Sequence, residues 1–160
     1  MNKEVLEVLE NNPRATLKQI ATMTGVSTSE IRKTIDEAEK ERIILKYKTV
    51  INWNKAGEQR VKALVEVRVQ PQKDVGFDAI AERIYRFPEA NSVYLVSGGY
   101  DLAVLVEGKT EQDIATFIAE KLASLESVQG TVTHFLLKPY KEDGEILDGE
   151  EKIKRQPVTL

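Results

Sequence analysis

The sequence predicts an α+β protein made of two domains. The chain has 160 residues, the length of about one to two ordinary domains. In the first quarter of the chain, apolar residues recur at the spacing of amphipathic helices, whereas from Val61 onward they alternate with polar residues as in half-buried strands. From this change we predict a helical domain over residues 1–51, a linker over 52–60, a mixed domain over 61–137 and a polar tail over 138–160.

The composition excludes several classes of protein. Hydrophobic residues make up 41% of the chain and charged residues 31%, which is normal for a globular protein with a real core. Cysteine is absent and His134 is the single histidine, so disulfide scaffolds, thiolate zinc sites and paired-histidine metal sites are excluded. The first residues lack the basic and apolar regions of a signal peptide, and no apolar run is long enough to span a membrane. We therefore expect a cytoplasmic protein.

Three helices are predicted in the first domain. The first covers residues 3–11 and ends before a proline, which cannot continue a helix. The second is broken by Gly25, which can take a left-handed conformation. The third begins where Ser27 and Glu30 have the spacing of a capping box, and we expect it to run to about Glu41.

Two helices that meet at a glycine turn are typical of a helix-turn-helix, whose second helix enters the major groove of DNA. Ile31, Ile35 and Ala38 predict the buried stripe of the third helix, which turns its hydroxyl-bearing and cationic side chains outward. A strand over residues 46–51 would add a small wing, so we predict a winged helix-turn-helix. The candidate DNA-binding residues are Lys18, Ser27, Thr28, Ser29, Arg32, Lys33, Lys46 and Lys48.

Each of these residues also has an ordinary structural interpretation. Ser27 is first of all a helix cap, and Arg32 and Lys33 are equally typical of a solvated helix face. Residues 1–50 carry nine Lys and Arg against eight Asp and Glu, so no bulk positive charge draws this domain to DNA. Asp36, on the same outer face, disfavours a phosphate contact at that point. We therefore expect only the first turns of the helix to enter the groove.

The second domain has the element order strand, helix, strand, strand, helix, strand. This order predicts a ferredoxin-like fold, with a four-stranded antiparallel sheet and two helices on one face. Apolar residues exceed what one buried side needs, so we expect dimerisation through the open face of the sheet. The predicted strands cover residues 61–70, 92–97, 102–107 and 128–137, and the apolar surplus is Leu64, Tyr94, Val96, Ala103, Leu105, Phe135 and Leu137.

A glycine turn joins the two middle strands. Gly98 and Gly99 would let a backbone approach a small molecule closely, and Asp101 could pair with an amino group. The alternative is a hairpin that needs glycine for a positive φ, with Asp101 capping the turn. The spacing alone favours neither interpretation. No catalytic arrangement is present, so we expect no enzyme and no cofactor.

With both domains in place, the chain resembles the Lrp/AsnC family of leucine-responsive and asparagine regulators, also called feast/famine regulators. The segments that carry the resemblance are LKQIATMTGVS (17–27), EKERII (39–44), FPEA (87–90) and above all VYLVSGGYDLAVLV (93–106). The resemblance implies a transcriptional regulator that binds double-stranded DNA, dimerises through its second domain and assembles further into tetramers or octamers.

The resemblance also implies that an amino acid or related small effector binds between dimers near the glycine turn. The implied effector-binding residues are Gly98, Gly99, Tyr100, Asp101, Thr131 and Thr133. Two other functions remain open. One is an architectural DNA-binding protein without an effector, and the other is a small-molecule-binding or catalytic ferredoxin-like domain carrying a helix pair for oligomerisation.

Overall fold

The computed structural model describes residues 2–70 and 76–147. The chain divides into two compact units, Met1–Ile51 and Asn52–Leu160. Within the two described ranges, no helix is long and apolar enough to cross a membrane.

The first unit contains three helices around a small apolar core. Four buried side chains form this core, and they come from all three helices. Its elements are α1 (Lys3–Asn11), α2 (Leu17–Thr24) and α3 (Thr28–Lys40), and its buried residues are Val5, Leu9, Ile20 and Ile31. The predicted helices are therefore present with nearly the predicted ends. Of the predicted stripe on α3, Ile31 and Ala38 are buried, whereas Ile35 is half-buried and Thr34 is buried beside it.

Local hydrogen bonds fix the ends of α2 and the start of α3. The hydroxyl of Thr16 accepts from the Gln19 backbone N–H, and the Gln19 side chain accepts from the Thr16 N–H, so a full capping box starts α2. Gly25 ends α2 with φ 70°, a left-handed conformation that costs an L-residue about 1–2 kcal/mol. Ser27 caps α3. These three devices fix where α2 begins and ends and where α3 begins.

The strand predicted over residues 46–51 does not form. These residues have no strand or helix structure, because the first unit offers no other strand in the described residues with which they could pair. The segment is attached to α3 instead, since the Tyr47 hydroxyl donates to the Glu39 carboxylate at 2.8 Å. Partial burial and then this bond raise the pKa of Tyr47 above its ordinary value.

The second unit has the predicted ferredoxin-like order of elements. Its four strands form one antiparallel sheet in the order β2-β3-β1-β4, with every neighbouring pair antiparallel. The elements are β1 (Val61–Val69), α4 (Asp78–Tyr85), β2 (Ala90–Leu95), β3 (Leu102–Gly108), α5 (Glu111–Phe117), a π-helical turn (Ile118–Leu122) that extends α5, and β4 (Val128–Phe135). The α+β fold class, a helix-turn-helix followed by this sheet domain, is therefore confirmed.

Alternation along the strands separates the two faces of this sheet. Alternate residues of β1 from Ala63 to Val69 are buried with the apolar residues of α4 and α5, so this face forms the core. The register places Phe135 opposite Ala63, on the core face, so Phe135 is not part of the apolar surplus that is left for the open face. The intervening residues of β1 lie on the open face, where Leu64 stands opposite Leu105 of β3.

The segments on either side of the predicted second domain belong to the second unit. Residues 52–60 are not a free linker: the Asn52 amide donates to the Leu147 carbonyl at 3.0 Å, and the Arg60 guanidinium lies 3.7 Å from the centre of the Trp53 ring. The predicted polar tail contains a hairpin, in which β5 (Lys141–Glu142) pairs with β6 (Glu145–Ile146).

An Asp-Gly turn accounts for this hairpin. Asp143 and Gly144 both have positive φ, 47° and 87°, as a two-residue hairpin loop of type I′ requires. An ion pair between Lys62 and Glu142 links the hairpin to β1. Residues 148–160 of the predicted tail lie outside the described residues.

Candidate DNA-binding helix and effector loop

Ser27 is engaged in capping α3. Its hydroxyl accepts from the Glu30 backbone N–H at 3.3 Å and donates to the Glu30 carboxylate at 2.7 Å, with the Ser29 hydroxyl 3.1 Å away. This cap holds the first turn of α3 in shape and leaves the side chains of Thr28 and Ser29 exposed at the helix start. Ser27 therefore has the structural role of a helix cap, and any contact of its hydroxyl with DNA would be a second role.

The cations predicted on α3 lie where the sequence places them. Arg32 and Lys33 are both exposed, on the side of the helix away from the buried Ile31 and Ala38. Lys33 stands 3.8 Å from Glu37, but their side chains are 75% and 48% exposed, so this pair is weak. Arg32 has no ion pair or hydrogen bond among the described residues. Its guanidinium is therefore available to a ligand.

The remaining DNA-binding candidates are spread over the first unit. Lys18 is exposed on α2, and Lys46 and Lys48 are exposed on the irregular segment that follows α3. The structure therefore brings five of the eight candidates together, those within residues 27–33, at the beginning of one helix. Lys46 and Lys48 do not lie on a wing strand, and their role in DNA binding stays a prediction.

The glycine turn between β2 and β3 is not the hairpin with glycines at positive φ that one of the two interpretations predicted. Neither Gly98 nor Gly99 has a positive φ, so the turn does not need glycine for its backbone conformation. Both residues are exposed, and a Cβ added to either would meet nothing within 4 Å. The glycines therefore leave the backbone of this loop open to solvent or to a ligand.

Asp101 anchors this loop to β1. Its carboxylate accepts from the Val69 backbone N–H at 2.8 Å, and its own N–H donates to the Val67 carbonyl at 3.1 Å. Its carbonyl accepts from the Val96 N–H at 2.9 Å and so closes the β2–β3 turn. The Asp101 carboxylate therefore does not cap the turn, as the structural interpretation predicted, but fixes the loop to β1.

Thr131 and Thr133 lie on β4, on the core face of the sheet. Thr131 stands opposite Val67 and Thr133 opposite Val65, so β1 separates both threonines from the loop. Because the Val67 carbonyl also accepts from the Asp101 N–H, Thr131 is at the loop end of the sheet, and Thr133 lies two residue pairs further in. Both threonines are half-buried, as are Tyr100 and Asp101.

A cavity of about 260 Å³ lies elsewhere in the second unit, between β3 and α5. Glu89, Glu107 and Lys121 are among its lining residues, and no residue of the glycine turn is. Lys121 donates to the Glu89 carboxylate and lowers its pKa below the ordinary value, against the opposing effect of burial. The second carboxylate oxygen of Glu89 is buried without a hydrogen bond in the described part of the chain. The sequence gives no signal of this cavity.

Metal ligands do not cluster in the described parts of the chain. No group of three or more His, Asp or Glu side chains there is arranged to hold a metal ion.

Family models match both units. Residues 2–44 match a winged helix-turn-helix DNA-binding domain, and residues 62–146 match the Lrp/AsnC ligand binding domain. The second match spans the hairpin of β5 and β6, so that hairpin belongs to the domain.

A curated relative and two solved structures agree with these matches. The HTH-type transcriptional regulator YugG of Bacillus subtilis (strain 168) is 47% identical over 98% of this chain and 95% of its own length. The crystal structure of the leucine response regulatory protein LrpA of Mycobacterium tuberculosis superposes with a TM-score of 0.73 at 20% identity, covering 91% of this chain and 97% of that one. A feast or famine regulatory protein of M. tuberculosis, complexed with L-methionine, has a TM-score of 0.71 at 21% identity over 91% and 96% of the two chains.

The matched domains and the curated relatives are those of transcriptional regulators and not of enzymes. The helix-turn-helix, the ferredoxin-like sheet and the relative that spans nearly the whole chain lead to one conclusion. This chain belongs to the Lrp/AsnC family of helix-turn-helix transcriptional regulators.

Proposed function

We propose that the protein is a homo-oligomeric regulator that binds specific DNA sequences through the first turns of α3 and responds to an amino acid or related small effector at the oligomer interface. The observation that carries the DNA-binding part is the exposed, unpaired Arg32 beside a rigidly capped helix start. A guanidinium donates two parallel hydrogen bonds to guanine O6 and N7 in the major groove. Exposed hydroxyls and free N–H groups at the same helix end favour phosphate oxygens.

Two copies of this helix would contact DNA together in a dimer. We assign dimerisation to the open sheet face, where Leu64, Leu105 and the half-exposed Val132 surround a 3.0 Å contact between His134 and Glu66. An antiparallel sheet whose helices cover one side leaves its other face exposed. An exposed face that is apolar is normally covered by a partner. A dimer places two recognition helices on successive turns of a pseudo-palindromic site. Sedimentation equilibrium of Leu105→Glu should show a smaller species than the wild type.

The effector would bind by the loop of residues 97–101. Two observations support this location. The space over Gly98 and Gly99 is open, and residues 62–146 match a ligand-binding domain. The L-methionine bound to the M. tuberculosis protein of the same fold makes amino acids the first class to test. An effector that prefers one assembly state over another would shift the oligomer and thereby the affinity for DNA.

A second candidate function is DNA binding without an effector. The observation that favours it is the Asp101 carboxylate, one of whose oxygens already accepts from the Val69 N–H and so has a structural role without an effector. The cavity of about 260 Å³ also does not border the glycine turn. Calorimetry of the wild type against the twenty amino acids separates the two functions. A binding heat that saturates as one of the amino acids is added supports a regulator that senses an effector. If no amino acid gives a binding heat and the protein still binds DNA, the effector-free function is supported.

DNA binding is tested by fluorescence anisotropy with duplexes from the protein's own upstream region. Arg32→Ala and Lys33→Ala should weaken binding, Arg32→Ala by about 1–3 kcal/mol if it reads a base. Lys109→Ala is the matched control, because Lys109 is an exposed cation in the second unit. Circular dichroism should show the helix content of all three variants unchanged. Equal affinity of Arg32→Ala, Lys33→Ala and the wild type would contradict the assignment of α3.

A further inference from the structure

Arg32 and Asp36 form an unusual pair on the exposed face of α3. They are four residues apart, so their side chains lie one above the other with opposite charges, a spacing that commonly gives an ion pair. The neighbouring pair at the same spacing, Lys33 and Glu37, does approach to 3.8 Å. Neither Arg32 nor Asp36 has an ion pair or hydrogen bond within residues 2–70 and 76–147. Both charged groups are therefore available to the same ligand.

A carboxylate on a DNA-binding face needs a hydrogen-bond donor as its partner. Phosphate oxygens repel it, and in the major groove only the amino groups of cytosine N4 and adenine N6 donate. Adenine also presents the acceptor N7 beside its amino group, which suits the amide of Asn or Gln and repels a second acceptor. The chemistry of Asp36 therefore selects cytosine.

The spacing relates this cytosine to the base that Arg32 reads. Four residues of α-helix rise about 6 Å, and stacked bases are about 3.4 Å apart along a strand. We propose that Asp36 determines specificity by accepting from a cytosine N4 about two base pairs from the guanine that Arg32 contacts. This inference rests on the proposed function, since it requires α3 to lie in the major groove. It extends the contact beyond the first turns that the sequence predicts, because Asp36 begins the third turn of α3.

The test is in vitro selection from a randomised duplex library by the full chain, comparing the wild type with Asp36→Asn and Asp36→Ala. We expect the wild type to enrich cytosine at one position of each half-site, with about 5- to 150-fold discrimination there. Asp36→Asn should change that one position to adenine, because an amide bonds adenine N6 and N7 together. Asp36→Ala should reduce the discrimination there to about twofold or less. Glu126→Gln, which removes an exposed carboxylate from the second unit, should leave every position unchanged.

Three outcomes would overturn the inference. The first is the same enriched motif for Asp36→Asn and the wild type. The second is a uniform gain in affinity for all sequences in both Asp36 variants, which would make Asp36 only a source of phosphate repulsion. The third is a wild type that enriches no motif, which would overturn the proposed function as well. Because Asp36 is exposed on the outer face of α3, circular dichroism should show both variants folded.

Discussion

Replacing Asp101 by alanine or by asparagine distinguishes its structural role from a role in effector binding. The Asp101 carboxylate accepts from the backbone N–H of Val69, a residue only 5% exposed, at 2.8 Å. Alanine leaves this N–H without an acceptor, whereas asparagine has the same size and keeps an acceptor oxygen. A hydrogen bond to a charged group contributes about 1.5–3 kcal/mol, so Asp101→Ala should lower the free energy of unfolding of the second unit by that amount. Asp101→Asn should lose less than about 1 kcal/mol.

Calorimetry and amide exchange together measure this difference. For a domain of this size, a loss of about 2 kcal/mol lowers the Tm of the second unit by roughly 10 °C. The Val69 amide should exchange faster in Asp101→Ala than in the wild type, while Asp101→Asn keeps its protection. Equal Tm values for the wild type and Asp101→Ala would refute the anchoring role. Equal destabilisation of both variants would mean that the negative charge, and not the acceptor oxygen, stabilises the loop. If instead Asp101→Asn is as stable as predicted, it is the variant suited to effector titrations, because it removes the negative charge and keeps the hydrogen bond to Val69.

Three further predictions concern other contacts. Gly25→Ala should lower the free energy of unfolding of the first unit by about 1–2 kcal/mol in urea titrations, because Gly25 has φ 70° and no atom within 4 Å would meet the added Cβ; an unchanged midpoint would contradict this. Ser27→Asp should keep the helix cap but weaken DNA binding by at least about tenfold in anisotropy titrations, whereas Ser27→Ala should lose about 1 kcal/mol of stability; stronger DNA binding by Ser27→Asp would show that Ser27 does not face phosphates. Because Lys121 lowers the pKa of Glu89 below 4.5, the folded state gains stability from ionised Glu89 above that pH and loses it as the pH falls through the lowered pKa. The free energy of unfolding should therefore fall less between about pH 7 and about pH 3 in Lys121→Met than in the wild type. An equal fall in both proteins would show that the ion pair of Lys121 with Glu89 does not contribute to stability.

The helices of the first unit could be predicted closely because their ends are local. Caps at Ser27 and a left-handed glycine at Gly25 involve neighbours in the sequence, and both are present. The wing strand could not be predicted in this way, since a strand exists only where a partner strand lies beside it. Residues 46–51 have the composition of a strand but no such partner in the described residues of the first unit. Tyr47 contacts α3 instead.

In the second unit, the element order follows from alternation, but the contacts across the sheet do not. The Asp101 carboxylate bonds Val69, which is 32 residues away in the sequence. Only the register of β1 against β3 brings these two residues together. The face occupied by Phe135 depends in the same way on the register of β4. The hairpin after Leu137 has a local signal in the sequence, the Asp143-Gly144 pair. The charged composition of the same segment is instead typical of a polar tail, and that was the prediction.

Affinity cleavage of bound DNA shows whether the outer face of α3 lies in the major groove. The chain has no cysteine, so Ser29→Cys offers a single thiol for an iron chelate that cuts DNA nearby. Glu126→Cys, in the second unit, carries the same reagent as a control, and anisotropy confirms that both labelled proteins bind the duplex. We expect the reagent at position 29 to cut both strands inside each half-site, with the offset between the two cuts that a probe in the major groove gives. The reagent at position 126 should give a different pattern. If position 29 leaves bound DNA uncut, α3 does not lie in the major groove.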